Sequence, residues 1–456
     1  MASASTRIAA MYEMAVKYSD GFPHRRTDKL VAPVDSTSRD VVLVTGTTGS
    51  LGCHLLEAMV FSPDIARVYA FNRRARDGTA LHARQAVALE ERGIDSRILD
   101  LPKIVLLEGD LTKVTWGLSD DMFNEVQHSV THIIHNAWPV DFVAKLSAFE
   151  PAIKSLRSLI DFALASPLPV APRLLFTSSQ CVLQRTSLPF NLLASRTNYG
   201  SHHSGAPRDF SVPEGPVDPS LAMTNGYAEA KWVCEQIVYT AAAHTTLDPI
   251  VVRVGQLSGG RAGAWAADEW IPAMVQSAPH VGGLPDDSRI VDFLPFDIGA
   301  AAVLDFLHAP RTIDTTHVVH PRGVSWHSIA ATVASELGVP LISVEEWLRR
   351  LQALAAASPS QSHKSQTSPG AEERHALPRL YALQLIPVYQ NLLATLDTGR
   401  MAMGFPDVEV TQTLRASPTL ADSTLRDVGA DDVRRWLAYW RRVGMLERPR
   451  AQQYRL

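Results

Sequence analysis

Cysteine is scarce in this chain, with three among 456 residues, at Cys53, Cys181 and Cys234. Their odd number and scattered positions exclude a disulfide framework. None has metal-site spacing, so no metal site is expected and a reducing compartment is. No uninterrupted apolar run reaches membrane-spanning length although 46% of the residues are apolar, so the chain reads as globular with no membrane partner. Basic clusters are missing too, and with a net charge of −4 nucleic acid is excluded as a substrate. The segment 1–22 lacks an apolar secretory core, and Glu13 and Asp20 argue against a mitochondrial transit peptide, which leaves a cytoplasmic location.

What is present is concentrated in VVLVTGTTGSLGCHLLEAMV (41–60), where an apolar strand runs into three glycines and an amphipathic helix follows at once. Gly46 suits a tight turn off the strand, Gly49 a close approach of backbone N–H groups to a pyrophosphate, and Gly52 close packing of helix on sheet. The strand before and helix after raise this from a bare spacing to a dinucleotide site. Downstream, apolar strands at 67–71, 103–110, 131–137, 173–179 and 249–255 alternate with helical segments at 81–93, 145–165 and 224–243, and 316–320 reads as a further strand closing the sheet. This predicts an α/β fold, a doubly wound parallel sheet of Rossmann type, with a smaller, mostly helical carboxy-terminal substrate-binding portion.

The expected boundaries are a dinucleotide-binding domain over 39–255 carrying an insertion at 185–210, and a substrate portion over 256–354 and 379–456. Residues 355–378 are rich in Ser, Pro, Gln and Ala and read as a disordered linker. The final helix begins with Asp431 and Asp432 and ends with Arg441, Arg442 and Gly444; Trp436 and Trp440 form a core stripe on it. Two tempting sites are declined. His132 and His135 fall on opposite faces of a strand and are not a metal pair, and Asp297 reads as a helix N-cap.

The chemistry rests on Tyr227-Ala-Glu-Ala-Lys231, whose ends share one helix face. A lysine ammonium beside a phenol is expected to lower the phenol's pKa and make a usable proton donor or acceptor. Ser178 and Ser179 close the strand 173–179 where its carboxy end opens on a cofactor crevice, and a hydroxyl there can bond a substrate carbonyl. After the second strand, where an NAD-preferring fold carries an acid, this chain has Asn72-Arg73-Arg74. Two guanidiniums suit a 2′-phosphate, which favours NADPH.

Together these elements resemble the extended short-chain dehydrogenase/reductase superfamily. GDL (109–111), HNAWPVDF (135–142), NGYAEAKWVCEQI (225–237), RVGQLSGG (253–260) and WLAYWRRVGML (436–446) look like the terminal thioester reductase domains of fungal nonribosomal-peptide-synthetase-like, aminoadipate-reductase-like and polyketide synthases. KYSDGFP (17–23) looks like the linker that follows a carrier domain there, which makes 1–38 linker-like. The resemblance implies a triad of Ser179, Tyr227 and Lys231. It also implies that Thr48, Gly49, Ser50 and Leu51 lie on the pyrophosphate, Asp110 and Leu111 flank the adenine, Asn136 and Ala137 meet the adjacent ribose, and Val254, Gly255 and Gln256 face the nicotinamide. The implied activity is NADPH-dependent reduction of an acyl thioester, presented on phosphopantetheine by an acyl or peptidyl carrier, to an aldehyde or onward to an alcohol. A reductase of a soluble aldehyde, ketone or acyl-CoA is the alternative, and a non-catalytic NADP-binding regulator a second one. Two departures stand out: the helix near 150–163 lacks the asparagine many superfamily members carry, and the gap from Ser179 to Tyr227 is long.

Overall fold

The computed structural model describes residues 3–25, 39–184, 211–357, 380–395 and 401–447. The expected insertion at 185–210 and, apart from 355–357, the expected linker at 355–378 lie outside the described residues or beside them. Seven strands form one sheet: β1 (Asp40–Thr45), β2 (Ile65–Arg73), β3 (Ile104–Gly109), β4 (His132–His135), β5 (Arg173–Ser179), β6 (Pro249–Val254) and β7 (Thr315–Val318). Their spatial order is 7-6-5-4-1-2-3 and every pairing is parallel. The order reverses between β1 and β4, so the crevice at their carboxy ends is where such a sheet binds its ligand.

The apolar runs explain the layers. β1 is buried along its whole length and β5 at all but its last residue, as strands covered on both faces must be. The covering helices of this unit include α1 (Ala4–Ser19), α2 (Ser50–Phe61), α3 (Leu81–Glu91), α4 (Asp120–Ser129), α5 (Glu150–Leu164) and α6 (Gly226–His244). Asn225 starts α6 by accepting from the Ala228 N–H at 2.9 Å. Gly226 lets that start lie against a neighbouring loop, because an added Cβ would sit 2.4 Å from the Ala144 carbonyl oxygen.

Where the sequence suggests a linker over 1–38, residues 4–19 form α1, capped by Ser3 and packed on α6. Met11 and Ala15 are buried, the Tyr12 ring meets Trp232 edge-on at 5.3 Å, and Arg7 pairs with Glu229 at 2.6 Å. The chain falls into two compact units, and their limits differ from the expected break at 255. The first holds 1–261 together with 292–322 and 406–427; the second holds 262–291, 323–405 and 428–456. The reason is topological. β7 closes the sheet from 315–318, and 406–427 folds back beside it, where Glu214 accepts from the Thr413 N–H at 2.7 Å and the Ser417 hydroxyl donates to Asp305 at 2.6 Å.

The second unit is mostly helical. Its core includes Trp265, whose ring lies 5.0 Å from Trp436 and 6.0 Å from Trp440, with the Trp440 indole donating to the Trp265 carbonyl at 2.9 Å. The tryptophan stripe on the last helix (Ala430–Arg442) is therefore core, as its spacing suggests. Asp297 corrects the sequence reading: the helix Phe296–Asp305 is preceded by Pro295, and Asp297 sits inside its first turn, paired with Arg261 at 3.2 Å.

Candidate active site

The turn from β1 into α2 is built around two crowded glycines. Gly46 has φ +74, and a Cβ there would lie 2.7 Å from the Ala137 Cα; at Gly52 it would lie 2.1 Å from the Gly46 carbonyl oxygen. Gly49 differs, for it is exposed and the nearest atom to an added Cβ is 3.5 Å away. Open space thus faces the amino end of α2, a cradle a Cβ would narrow and a pyrophosphate fits. Thr48, Ser50 and Leu51 surround it half-buried. The turn after β4 holds the loop from the side: Asn136 Nδ2 donates to the Gly46 carbonyl at 3.3 Å and the Ala137 N–H to Thr45 Oγ1 at 2.9 Å.

Around this cradle stand the remaining residues expected at a cofactor. Asp110 follows β3 and accepts from the Thr112 N–H at 2.9 Å and its hydroxyl at 2.7 Å, bonds that hold its carboxyl below the usual range; Leu111 beside it is buried. Val254, Gly255 and Gln256 lie half-buried at the end of β6. Asn72 meets the glycine loop. It is buried, with Nδ2 donating to Thr47 Oγ1 at 2.6 Å and Oδ1 facing the Thr48 N–H at 3.4 Å, so it braces the glycine loop from behind. Arg73 and Arg74 are exposed, and their guanidiniums have no hydrogen-bond or ion-pair partner among the described residues.

Tyr227 and Lys231 lie one turn apart on α6, and β5 ends beside them. Lys231 is 2% exposed; its Nζ donates to the Thr177 carbonyl at 2.6 Å and lies 4.1 Å from the centre of the Trp138 ring and 5.9 Å from that of Tyr227. Burial pushes its pKa down to about 7, against the pull of Cys234, Glu235 and Cys181. Tyr227 is packed between Phe142 and Phe149, with ring centres 5.2 and 6.1 Å away. Burial raises its pKa, Cys181 adds to the rise, and a hydrogen bond with Ser179 opposes it. The expected lowering by Lys231 is therefore corrected: the desolvation of the phenol dominates, and the lysine spends a proton on a backbone carbonyl. The two serines separate cleanly. Ser178 is buried and donates to Glu235 at 2.5 Å, whereas half-buried Ser179 is the one that reaches Tyr227.

A family model described as "Male sterility protein", an NAD-binding model, matches residues 44–303. The chain belongs to that family. Its cofactor class is accordingly a nicotinamide dinucleotide, which the open cradle at Gly49 accommodates. Among curated relatives, the adenylate-forming reductase Nps10 of Heterobasidion annosum is 40% identical over 440 residues, covering 96% of this chain and 37% of the relative. The chain thus spans little more than a third of the length of curated relatives it matches. The crystal structure of the terminal R domain from the myxalamid PKS-NRPS biosynthetic pathway superposes with a TM-score of 0.71 at 22% identity, covering 97% of this chain and all of that one. A thiolation-reductase di-domain from an archaeal non-ribosomal peptide synthetase gives 0.64 at 17% identity, over 97% of this chain and 81% of that one. These two likenesses establish the fold.

Several residues of this family member's site escape a reading of the sequence. Trp138 and Phe142 lie in the HNAWPVDF run, yet nothing in that run says that their rings would touch Lys231 and Tyr227. Beneath the site, Glu235 takes the Ser178 hydroxyl and pairs with Arg253 through two bonds of 3.0 and 2.8 Å, with neither side chain exposed. Arg253 in turn bonds the Gly215 carbonyl at 2.8 Å and reaches His317 at 3.3 Å. The one available signal is spacing: Glu235 follows Lys231 by four residues, one helical turn.

Proposed function

We propose that this chain is the reductase that releases an acyl group, carried as a thioester on the phosphopantetheine of an acyl or peptidyl carrier domain, as an aldehyde at the expense of NADPH. The observation that carries the reading is the meeting of Ser179, Tyr227 and buried Lys231 at the carboxy end of β5, next to an open glycine cradle. The names of the relatives support the substrate class, and the di-domain, in which a thiolation domain precedes a reductase, supports the carrier.

When bound, NADPH supplies the hydride. Thr48 to Leu51 and the α2 amino end suit its pyrophosphate, Asp110 and Leu111 its adenine, Asn136 and Ala137 the adjacent ribose, and Val254 to Gln256 the nicotinamide side. Arg73 and Arg74 suit the 2′-phosphate. Ser179 and Tyr227 hold the thioester oxygen as it gains negative charge. A phenol with a raised pKa stays protonated at neutral pH, so Tyr227 keeps the proton it must give to that oxygen. Collapse of the resulting hemithioacetal expels the thiol and leaves the aldehyde. Lys231 orients the ribose and Tyr227. Buried or half-buried free cysteines at 53, 181 and 234 fit a reducing, cytoplasmic setting.

The test is a panel of acyl-pantetheine and acyl-carrier thioesters with NADPH, following cofactor oxidation, aldehyde and free thiol together. Equal yields of aldehyde and thiol support the reading. Turnover of free aldehydes or ketones but of no thioester would favour a soluble-carbonyl reductase.

A further inference from the structure

We propose that Asp40, His132 and His308 form a binding site for a divalent transition-metal cation of the zinc class. The three residues come from the start of β1, the start of β4 and the short 3-10 helix Phe306–His308, at the amino ends of the strands and so opposite the glycine cradle at their carboxy ends. Each offers one ligand atom, and the three atoms lie within 4.8 Å of one another. The two carboxylate oxygens of Asp40 divide between the rings: Oδ1 is 3.4 Å from His132 Nδ1 and Oδ2 is 2.8 Å from His308 Nε2. Zinc bonds nitrogen and oxygen at about 2.0–2.2 Å, which sets two tetrahedral ligands roughly 3.3 Å apart, so small movements of the rings complete the set.

His132 can present a lone pair to a cation. Its Nδ1 is the nitrogen that faces Asp40, and the Leu307 carbonyl lies near the ring. In the tautomer that carries its N–H on Nε2, the Nδ1 lone pair confronts a carboxylate oxygen, and a cation between the two satisfies both. The Thr131 hydroxyl also reaches Nδ1, at 2.9 Å, but the Val41 carbonyl lies 3.1 Å from it and can take its proton instead. Of the nearby cations, Arg173 is committed to Asp248 at 3.2 Å and to the Leu307 and Ala309 carbonyls, and Arg415 lines the same cavity.

Access and ligand chemistry agree. Asp40 and His308 line a cavity of about 530 Å³, which leaves room for water in the remaining coordination positions. The His308 side chain is 65% exposed, with its ring on Asp40 at 2.8 Å, while His132 and Asp40 at 12% and 11% are enclosed. Two imidazoles and one carboxylate suit zinc, cobalt or nickel rather than magnesium or calcium, which prefer all-oxygen sets.

The experiment titrates the full chain, stripped by a chelator, with Co²⁺ and Zn²⁺ by calorimetry, recording the visible spectrum of the cobalt form and Tm alongside. Because other histidines can bind metal weakly, the result is the difference between wild type and the exposed-position variant His308→Ala, with Asp40→Asn as the second variant. The expected result is one site lost or weakened more than roughly tenfold in both variants, since even outer-shell changes cost about that, together with loss of the metal-dependent rise in Tm. Unchanged stoichiometry and affinity in His308→Ala would overturn the proposal, whatever Asp40→Asn does to folding.

Discussion

Lys231 donates a 2.6 Å hydrogen bond to the backbone carbonyl of Thr177, the residue two before Ser179 on β5. Its charge is otherwise surrounded by the rings of Trp138, Phe176 and Tyr227, which is why burial brings its pKa from 10.5 to about 7. Between those values the unfolded chain binds a proton that the folded chain has released, so stability rises with pH across that window; as pH falls the loss builds from 10.5 and is complete by about 7. Without cofactor, wild type should gain Tm from about pH 7 to about pH 10 relative to Lys231→Met, which removes the titrating group. Parallel Tm profiles for the two proteins would show that the ammonium is not desolvated in solution.

Tyr227 has the opposite sign. Its raised pKa keeps the proton in place, and replacing it by Phe preserves the packing against Phe142 and Phe149 while removing the donor. Turnover of the Tyr227→Phe variant should fall by roughly 10²–10⁴-fold, with dinucleotide affinity nearly unchanged. A fall in affinity of similar size would assign the phenol to binding.

Two glycines three residues apart should respond differently. In Gly52→Ala the new methyl meets the Gly46 carbonyl oxygen at 2.1 Å, so the loop must shift and both stability and cofactor affinity drop. In Gly49→Ala the methyl finds its nearest atom at 3.5 Å, so Tm without cofactor should hold while dinucleotide binding weakens because the methyl occupies the cradle. Thermal unfolding with and without NADPH separates the two, and a stable, tightly binding Gly52→Ala protein would refute the packing argument.

How much of this was legible beforehand follows from the range of the interactions. The glycine loop, the parallel sheet and the Tyr227–Lys231 pair are local patterns, and each residue there declares its role through its immediate neighbours. Contacts between distant segments declare nothing. Trp138 over Lys231, and Glu235 joining Ser178 to Arg253, become visible only when β4, β5, β6 and α6 are side by side. The same holds for residues 406–427, which return to the first unit from beyond the expected boundary, whereas the strand that closes the sheet beyond that boundary was legible at 316–320. The lowered phenol pKa failed for a related reason: charge proximity can be read from spacing, but desolvation depends on everything packed around the group.

The buried Glu235–Arg253 pair yields its own prediction. With both side chains fully enclosed, removing one partner leaves the other charged and unpaired, and Glu235→Gln should cost about 3–5 kcal/mol. Ser178→Ala removes only a donor to the carboxylate and should cost about 1–3 kcal/mol. Denaturant unfolding measures both, and equal small losses would mean that water reaches the pair.

Cofactor selectivity puts the proposed NADPH preference at risk. Arg73 ends β2 and Arg74 follows it, both exposed and with guanidiniums that have no partner among the described residues, so no internal structure requires their charge. Asn72 just before them is spent on the glycine loop and contributes to either cofactor alike. If the two guanidiniums grip the 2′-phosphate, the double variant Arg73→Ala/Arg74→Ala loses charge-assisted bonds that only NADPH can make. Its Kd for NADPH should rise by on the order of 10–100-fold while that for NADH stays nearly constant, and the NADPH loss should shrink as salt screens the exposed charges. Equal losses for both cofactors would indicate damage to the cradle instead. An unchanged NADPH affinity would move the phosphate contact to other residues and remove the physical basis for the preference.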